Sequence, residues 1–358
     1  MSDRLLALTI DLDSTVDFLV RLLNVHSPTG NTTDAIGLCE TEFAALGIPD
    51  LTMARTRKGS LMLHWRGEGR AQVGITAHVD TLGLMVKEIK PNGCLKVTRI
   101  GGIVMSGVET ENVTVRTFDG RQYRGTVLMN DPASHVNRDL ATQPRNEDTM
   151  EVRLDVQTRS ALETQALGIE VGDFIFVDPR VEVIDTGFIR SRFLDDKASV
   201  ACIYGAMAAM HHAGKRPAND TRILISNFEE VGHGGAADWS PDLQEYLSVD
   251  MAAIGYGQNS DEFNCTICTK DASGPYSYEM ISKLRRLADA HGIPYRTDIY
   301  PFYSSDGSAY WRAGGSARVA LIGPGVSGSH SYERTHRDAL RGSAELIGAY
   351  MTTAVESK

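Results

Sequence analysis

The sequence predicts an α/β fold interrupted by a small inserted β-barrel-like domain, and three observations carry that expectation. Apolar, β-rich runs alternate with helical patterns toward both ends of the 358-residue chain, the pattern that builds a layered α/β sheet. Between residues 86 and 182 the texture changes to short alternating strands punctuated by Gly and Asp-Gly turns, the signature of a small all-β unit. Polar and acidic residues also recur where the apolar strands end, the edge at which open α/β sheets place their ligands. The length suggests two domains, with 1–85 and 183–358 forming the α/β part and 86–182 the insertion.

Composition narrows the possibilities. A net charge of −10 and a pI near 5.5, with no dense block of Lys or Arg, exclude a nucleic-acid partner. Apolar runs stay far below the roughly 18 residues of a membrane span, and the first residues lack a basic region followed by an apolar stretch. A cytoplasmic location is expected. The five scattered cysteines are odd in number and argue against a disulfide framework. Cys265 and Cys268 form C-T-I-C without a second pair, so buried free thiols are expected there.

In chain order, residues 14–24 place apolar side chains at helical spacing after Ser14, the expected N-cap, and H-S-P-T-G breaks that helix. A second helix spans 34–46 and ends at Gly47. Strand-like segments follow at 51–55 and 59–65. The buried strand Q-V-G-I-T-A then delivers His78 and Asp80 at its tip. After the insertion, 197–211 is helical, T-R-I-L-I-S-N-F is a buried strand, and 243–250, 278–291, 317–321 and 339–355 continue as strand, helix, strand and helix.

Chemistry concentrates at strand ends. His78 and Asp80 are two apart on an extended segment and share a face, so Asp80 can orient the imidazole while its other nitrogen binds a metal. Asp195 and Asp196, in L-D-D-K, lie at a strand-to-helix junction. They read either as an N-cap or as paired carboxylates that need a cation. Glu229 and Glu230 follow an apolar strand directly, where adjacent carboxylates repel unless a cation or proton intervenes. Asp250 ends another short strand, and His330 and His336 both lie in S-H-S-Y-E-R-T-H beyond a Gly-Pro-Gly break. Carboxylates mixed with imidazoles suit zinc, cobalt or manganese.

The ordered set H-x-D, D-D, E-E, D, H resembles the co-catalytic metallopeptidases, and among them peptidase family forty-two, the tetrahedral and deblocking aminopeptidases, over nearly the whole chain. The resemblance implies a mixed-sheet metallopeptidase catalytic domain and a homo-oligomer, often a dodecamer. It implies two divalent metal ions per subunit: Asp195 as bridging ligand, His78 and Asp250 on one ion, Glu230 and His330 on the other. Glu229 is then similar to the family's general base, and Asp80 to the partner of the histidine. Thr81 stands where many members carry an acid, His336 rivals His330, and V-D-M-A-A-I-G-Y-G-Q-N-S departs from the family's pattern around Asp250. The Q-N-S stretch and the S-Y-E-R-T-H ending resemble a branch whose genes accompany synthesis of an osmoprotectant dipeptide amide.

The function so implied is hydrolysis of N-terminal residues from short peptides, with Glu229 moving the proton of an attacking water. The alternatives are an amidohydrolase or deacylase acting on a small acylated amino acid or dipeptide amide, and a non-catalytic metal-binding assembly protein.

Overall fold

The computed structural model describes residues 8–356. The expectation about a leader falls partly on residues 1–7, outside the described residues. A mixed sheet of 13 strands forms the core of the α/β part. At its centre the strands Asp220–Ser226, Gln72–His78, Leu243–Val249 and Arg318–Ser327 run parallel in that spatial order. Ser226 pairs with His78, and Val249 with Ile322. This register brings the chain exits carrying Glu229, Asp80 and Asp250 to one edge.

Helices Leu12–Leu23, Leu194–His212 and Arg337–Met351 pack on one another over this sheet. The second of these is buried along almost its whole length from Leu194 to Met210. Small and aliphatic residues on every side, rather than one apolar stripe, explain why it lies between layers. The first helix starts before the expected Ser14: Asp11 is the N-cap, its carboxylate accepting the Ser14 amide at 3.0 Å. An acid one turn upstream takes the role expected of the serine because its oxygen reaches the orphan amide.

Between Gly83 and Val177 six strands close into a barrel. Val113 and Val115 on one strand, and Val127 and Met129 on its neighbour, point inward in strict alternation. The hairpin at Asp119-Gly120 forms as expected, with Gly120 at φ +87°. Elements not anticipated are the strands Cys265–Asp271, Tyr295–Ile299 and Glu333–His336 and the short helix Asp306–Arg312. Cys265 and Cys268 are buried free thiols on the first of these.

One buried charge cluster joins four elements. Glu245 accepts from Lys283 Nζ at 3.0 Å, Arg318 at 3.2 Å and the Tyr350 hydroxyl at 3.1 Å. Removing Lys283 leaves the buried Glu245 carboxylate with only the partly exposed Arg318 and the Tyr350 hydroxyl. Lys283→Ala is therefore expected to cost about 3–5 kcal/mol in denaturant unfolding, and Glu245→Leu/Lys283→Leu to recover much of the loss. A second prediction concerns His26, whose ring stacks on Phe176 with centroids 4.8 Å apart. Burial, reinforced by the Lys197 cation, pushes its pKa from 6.5 down to about 4. The unfolded chain then binds the extra proton between these values, so stability falls as pH drops from about 6.5 to 4. For this partly exposed ring the loss should be about 1–2 kcal/mol after solvent screening. His26→Phe should flatten that part of a stability-against-pH curve.

Candidate metal centre

Asp195 lies between two groups of potential ligands. Its Oδ1 is 3.3 Å from His78 Nε2, and its Oδ2 is 3.7 Å from His330 Nε2. His78, Asp195 and Asp250 form one triad and Asp195, Glu230 and His330 the other, each with its ligand atoms within 4.8 Å of one another. The structure thus brings together all five residues expected as ligands. Glu229 joins them, its carboxylate 3.6 Å from His78 Nε2. Asp195 and Asp196 have non-helical backbone angles at this helix start, and the Asp196 carboxylate accepts the His78 amide at 3.2 Å.

Both imidazoles have a defined tautomer. Nδ1 of His78 lies 2.9 Å from the Asp80 carbonyl, and Nδ1 of His330 lies 3.1 Å from the Gly102 carbonyl. A carbonyl can only accept, so each Nδ1 carries a proton and each Nε2 is the nitrogen turned toward Asp195. His78 Nε2 is buried and has no hydrogen-bond partner. Such an orphan facing carboxylates fits a cation, and the imidazole and carboxylate donors suit a borderline divalent ion.

Asp80 sits against the His78 ring chiefly through its backbone. Its main-chain oxygen, rather than its carboxylate, takes the closer position on the ring, the nearest carboxylate oxygen being 3.5 Å from Nδ1. The carboxylate instead accepts the amides of Glu229 at 3.1 Å and Glu230 at 3.3 Å and the Thr29 hydroxyl at 2.6 Å. His336 lies apart from both triads: Nε2 donates to the Thr186 carbonyl at 3.0 Å, and Nδ1 accepts the Asp338 amide, capping the last helix. Both nitrogens are thereby engaged.

Several supporting residues carry no sequence signal of their own. Glu333, 2% exposed, accepts the amides of Asp195 at 3.2 Å and His330 at 3.3 Å. Asp306 accepts the Gly235 amide at 2.6 Å, the Thr76 hydroxyl at 2.9 Å and the Ser226 hydroxyl. A side chain on Gly234 would put its Cβ 2.2 Å from an Asp306 oxygen, so this loop needs its glycine. Gly102, at a turn of the barrel, is required for the same reason: a Cβ there would come 2.8 Å from His330 Nδ1.

The electrostatics follow from burial. Burial, with neighbouring acids second, holds the Glu229, Glu230 and Asp196 carboxyls well above their usual range and brings Asp250 to about 8. Burial also opposes ionisation of Asp195, but the His78 and His330 imidazoles outweigh it and its carboxyl lies below the usual range. His78 is raised despite its own burial by Asp195 and Asp80. Crowded acids that hold protons in an apolar site are the groups that a divalent cation would ionise.

The fold and this centre define a peptide hydrolase of the α/β aminopeptidase type. A family model described as M42 glutamyl aminopeptidase matches residues 59–346, and the chain belongs to that family. It is 44% identical over 339 residues to the putative aminopeptidase YhfE of Bacillus subtilis, covering 94% of this chain and 97% of that one. Among solved structures, a TET aminopeptidase from a marine-sediment thaumarchaeon superposes with TM-score 0.85 at 18% identity, over 95% and 97% of the two chains. The TET1 peptidase of Pyrococcus horikoshii, which can assemble into a tetrahedron or a large octahedral shell, superposes with TM-score 0.81 at 21% identity, over 95% and 100%.

The support by Glu333 is testable. Glu333→Ala should weaken zinc binding about 10- to 100-fold at the Asp195–Glu230–His330 triad, read by calorimetric titration of metal-stripped protein, with the other triad less affected.

Proposed function

We propose that the chain is a dinuclear-metal aminopeptidase that removes N-terminal residues from short peptides, with Glu229 as general base. The observation that carries this is the Asp195 carboxylate set between two imidazoles whose Nε2 atoms face it. His78, Asp195 and Asp250 would hold one divalent ion and Asp195, Glu230 and His330 the other, zinc or cobalt, with manganese also compatible with the donors. Such ions supply Lewis acidity, lowering the pKa of water and polarising the scissile carbonyl.

The protein's own groups supply the rest. Glu229 lies in the pocket wall beside both triads and belongs to neither. Its carboxylate takes a proton from the attacking water and returns it to the departing amine. Asp80 holds it in place through the amides of Glu229 and Glu230. The pocket of about 510 Å³ opens beside these groups and is large enough for an N-terminal residue and its peptide bond.

The family membership and the shell-forming structural neighbour support a homo-oligomer, a dodecamer being the expected form, which native mass measurement would check. Among the described residues no helix is long and apolar enough to cross a membrane, which accords with a cytoplasmic enzyme.

Glu229→Gln is expected to lower kcat on aminoacyl p-nitroanilides about 10²–10⁴-fold while retaining two ions per chain by elemental analysis. Asp195→Ala should lose both ions. Near-wild-type turnover by Glu229→Gln would remove the base assignment.

A further inference from the structure

The segment G-Y-G-Q-N-S, residues 255–260, contributes no residue to either triad of the metal centre. In the structure it is an organised wall. Asp298, 6% exposed and on the strand Tyr295–Ile299, accepts the Asn259 amide at 2.9 Å, the Ser260 amide at 2.8 Å and the Ser260 hydroxyl at 2.6 Å. It also takes the Gln258 side-chain amide at 3.1 Å and the Ile299 amide at 2.8 Å. This carboxylate is buried and its acceptor sites are occupied. Gln258 spends its amide protons on Asp298 and on the Ile299 carbonyl at 2.7 Å.

The pocket that starts at Asp195 and Glu229 runs to this wall. Away from the metal centre its lining includes Met251, Ile254, Gln258, Tyr300, Phe302 and Tyr303, with Ser304 as an exposed hydroxyl. The polar tips of both tyrosines are committed: the Tyr300 hydroxyl pairs with Ser260 at 2.8 Å, and that of Tyr303 donates to the Met251 carbonyl at 2.9 Å. Neither Lys nor Arg lines the pocket, and its four carboxylates, Asp195, Glu229, Glu230 and Asp250, belong to the centre itself. Phe302, 99% exposed, adds an aromatic surface at the rim.

We infer that the side-chain subsite of this enzyme takes an uncharged, apolar N-terminal residue, and that Gln258 and Ile254 are specificity-determining positions. The inference rests on the aminopeptidase reading above and names its substrate class. A glutamyl side chain would bring a carboxylate to a wall with no cation, where the Gln258 amide protons and the Tyr300 and Tyr303 hydroxyls are already engaged. A lysyl side chain would bring an ammonium to a wall whose nearest carboxylate is saturated. Either would lose its hydration without a partner, whereas leucyl, methionyl or phenylalanyl side chains would bury apolar area against Met251, Ile254 and Tyr300.

The test is a panel of leucyl, methionyl, phenylalanyl, glutamyl and lysyl p-nitroanilides with the zinc- or cobalt-loaded enzyme. The expected kcat/KM for the apolar substrates exceeds that for the two charged ones by at least about a hundredfold. Gln258→Arg should raise the glutamyl-to-leucyl ratio about tenfold or more, and Ile254→Arg should do the same from a second lining position if the first variant melts early. A glutamyl or lysyl preference in an active wild-type enzyme, or an unchanged ratio in both folded variants, would overturn the subsite assignment and leave the peptidase reading standing. Turnover of none of the five by a metal-loaded enzyme would overturn that reading and this inference with it.

Discussion

Asp195 is placed where its two oxygens face two different imidazoles, 3.3 and 3.7 Å away, with the carboxylates of Glu229, Glu230 and Asp250 close behind. So many acids in a buried site repel one another and resist ionisation, because little water is present to screen them. The surrounding structure must hold them against that repulsion. Much of the architecture around the parallel strands answers this requirement: the register that sends three strand exits to one edge, the loops that carry the acids, and a second layer of carboxylates that carry no ligand role.

That second layer works in one repeated way. Asp80 accepts the amides of Glu229 and Glu230, Glu333 accepts those of Asp195 and His330, and Asp306 accepts that of Gly235 in the loop after the glutamates. In the first two cases an acid outside the triads grips the backbone of residues whose side chains face the centre, leaving those side chains free. Phe193 and Phe228, just ahead of the two acidic pairs, have φ of +70° and +65°, and His330 has +66°. These conformations cost on the order of 1–3 kcal/mol each, and the gripping hydrogen bonds and buried packing offset them. Lys58, which donates to the carbonyls of His233 and Gly234, closes the glutamate loop from outside.

The candidate ligands are legible in the sequence because each is a polar residue near the end of an apolar run, a pattern that burial makes costly without a purpose. Asp250 lies in the first triad because its placement depends on the strand Leu243–Val249 that precedes it and not on the residues beyond. The choice between His330 and His336 is not legible there: they share one segment, and the strand Glu333–His336 separates them, its pairing with Phe188–Ser191 carrying His336 away. Glu333 and Asp306 escape a sequence reading because an acid beside a turn looks solvated. Only the tertiary fold shows that one is buried against the amides of Asp195 and His330 and the other beneath a glycine loop.

The inserted barrel belongs to the same centre. Read from sequence, it is a separable β-rich unit between two halves of a sheet. Yet its first strand begins at Gly83, three residues beyond Asp80, and its Gly101-Gly102 turn reaches back so that the Gly102 carbonyl fixes the His330 tautomer. Gly102 has room for no side chain because that ring lies against it. The barrel therefore supplies one of the two carbonyls that turn Nε2 toward Asp195, while the sheet supplies the other through Asp80. A centre with two imidazoles oriented by two different parts of the fold can form only when those parts are docked, so the geometry of the site depends on the contact between barrel and sheet as much as on the residues that line it.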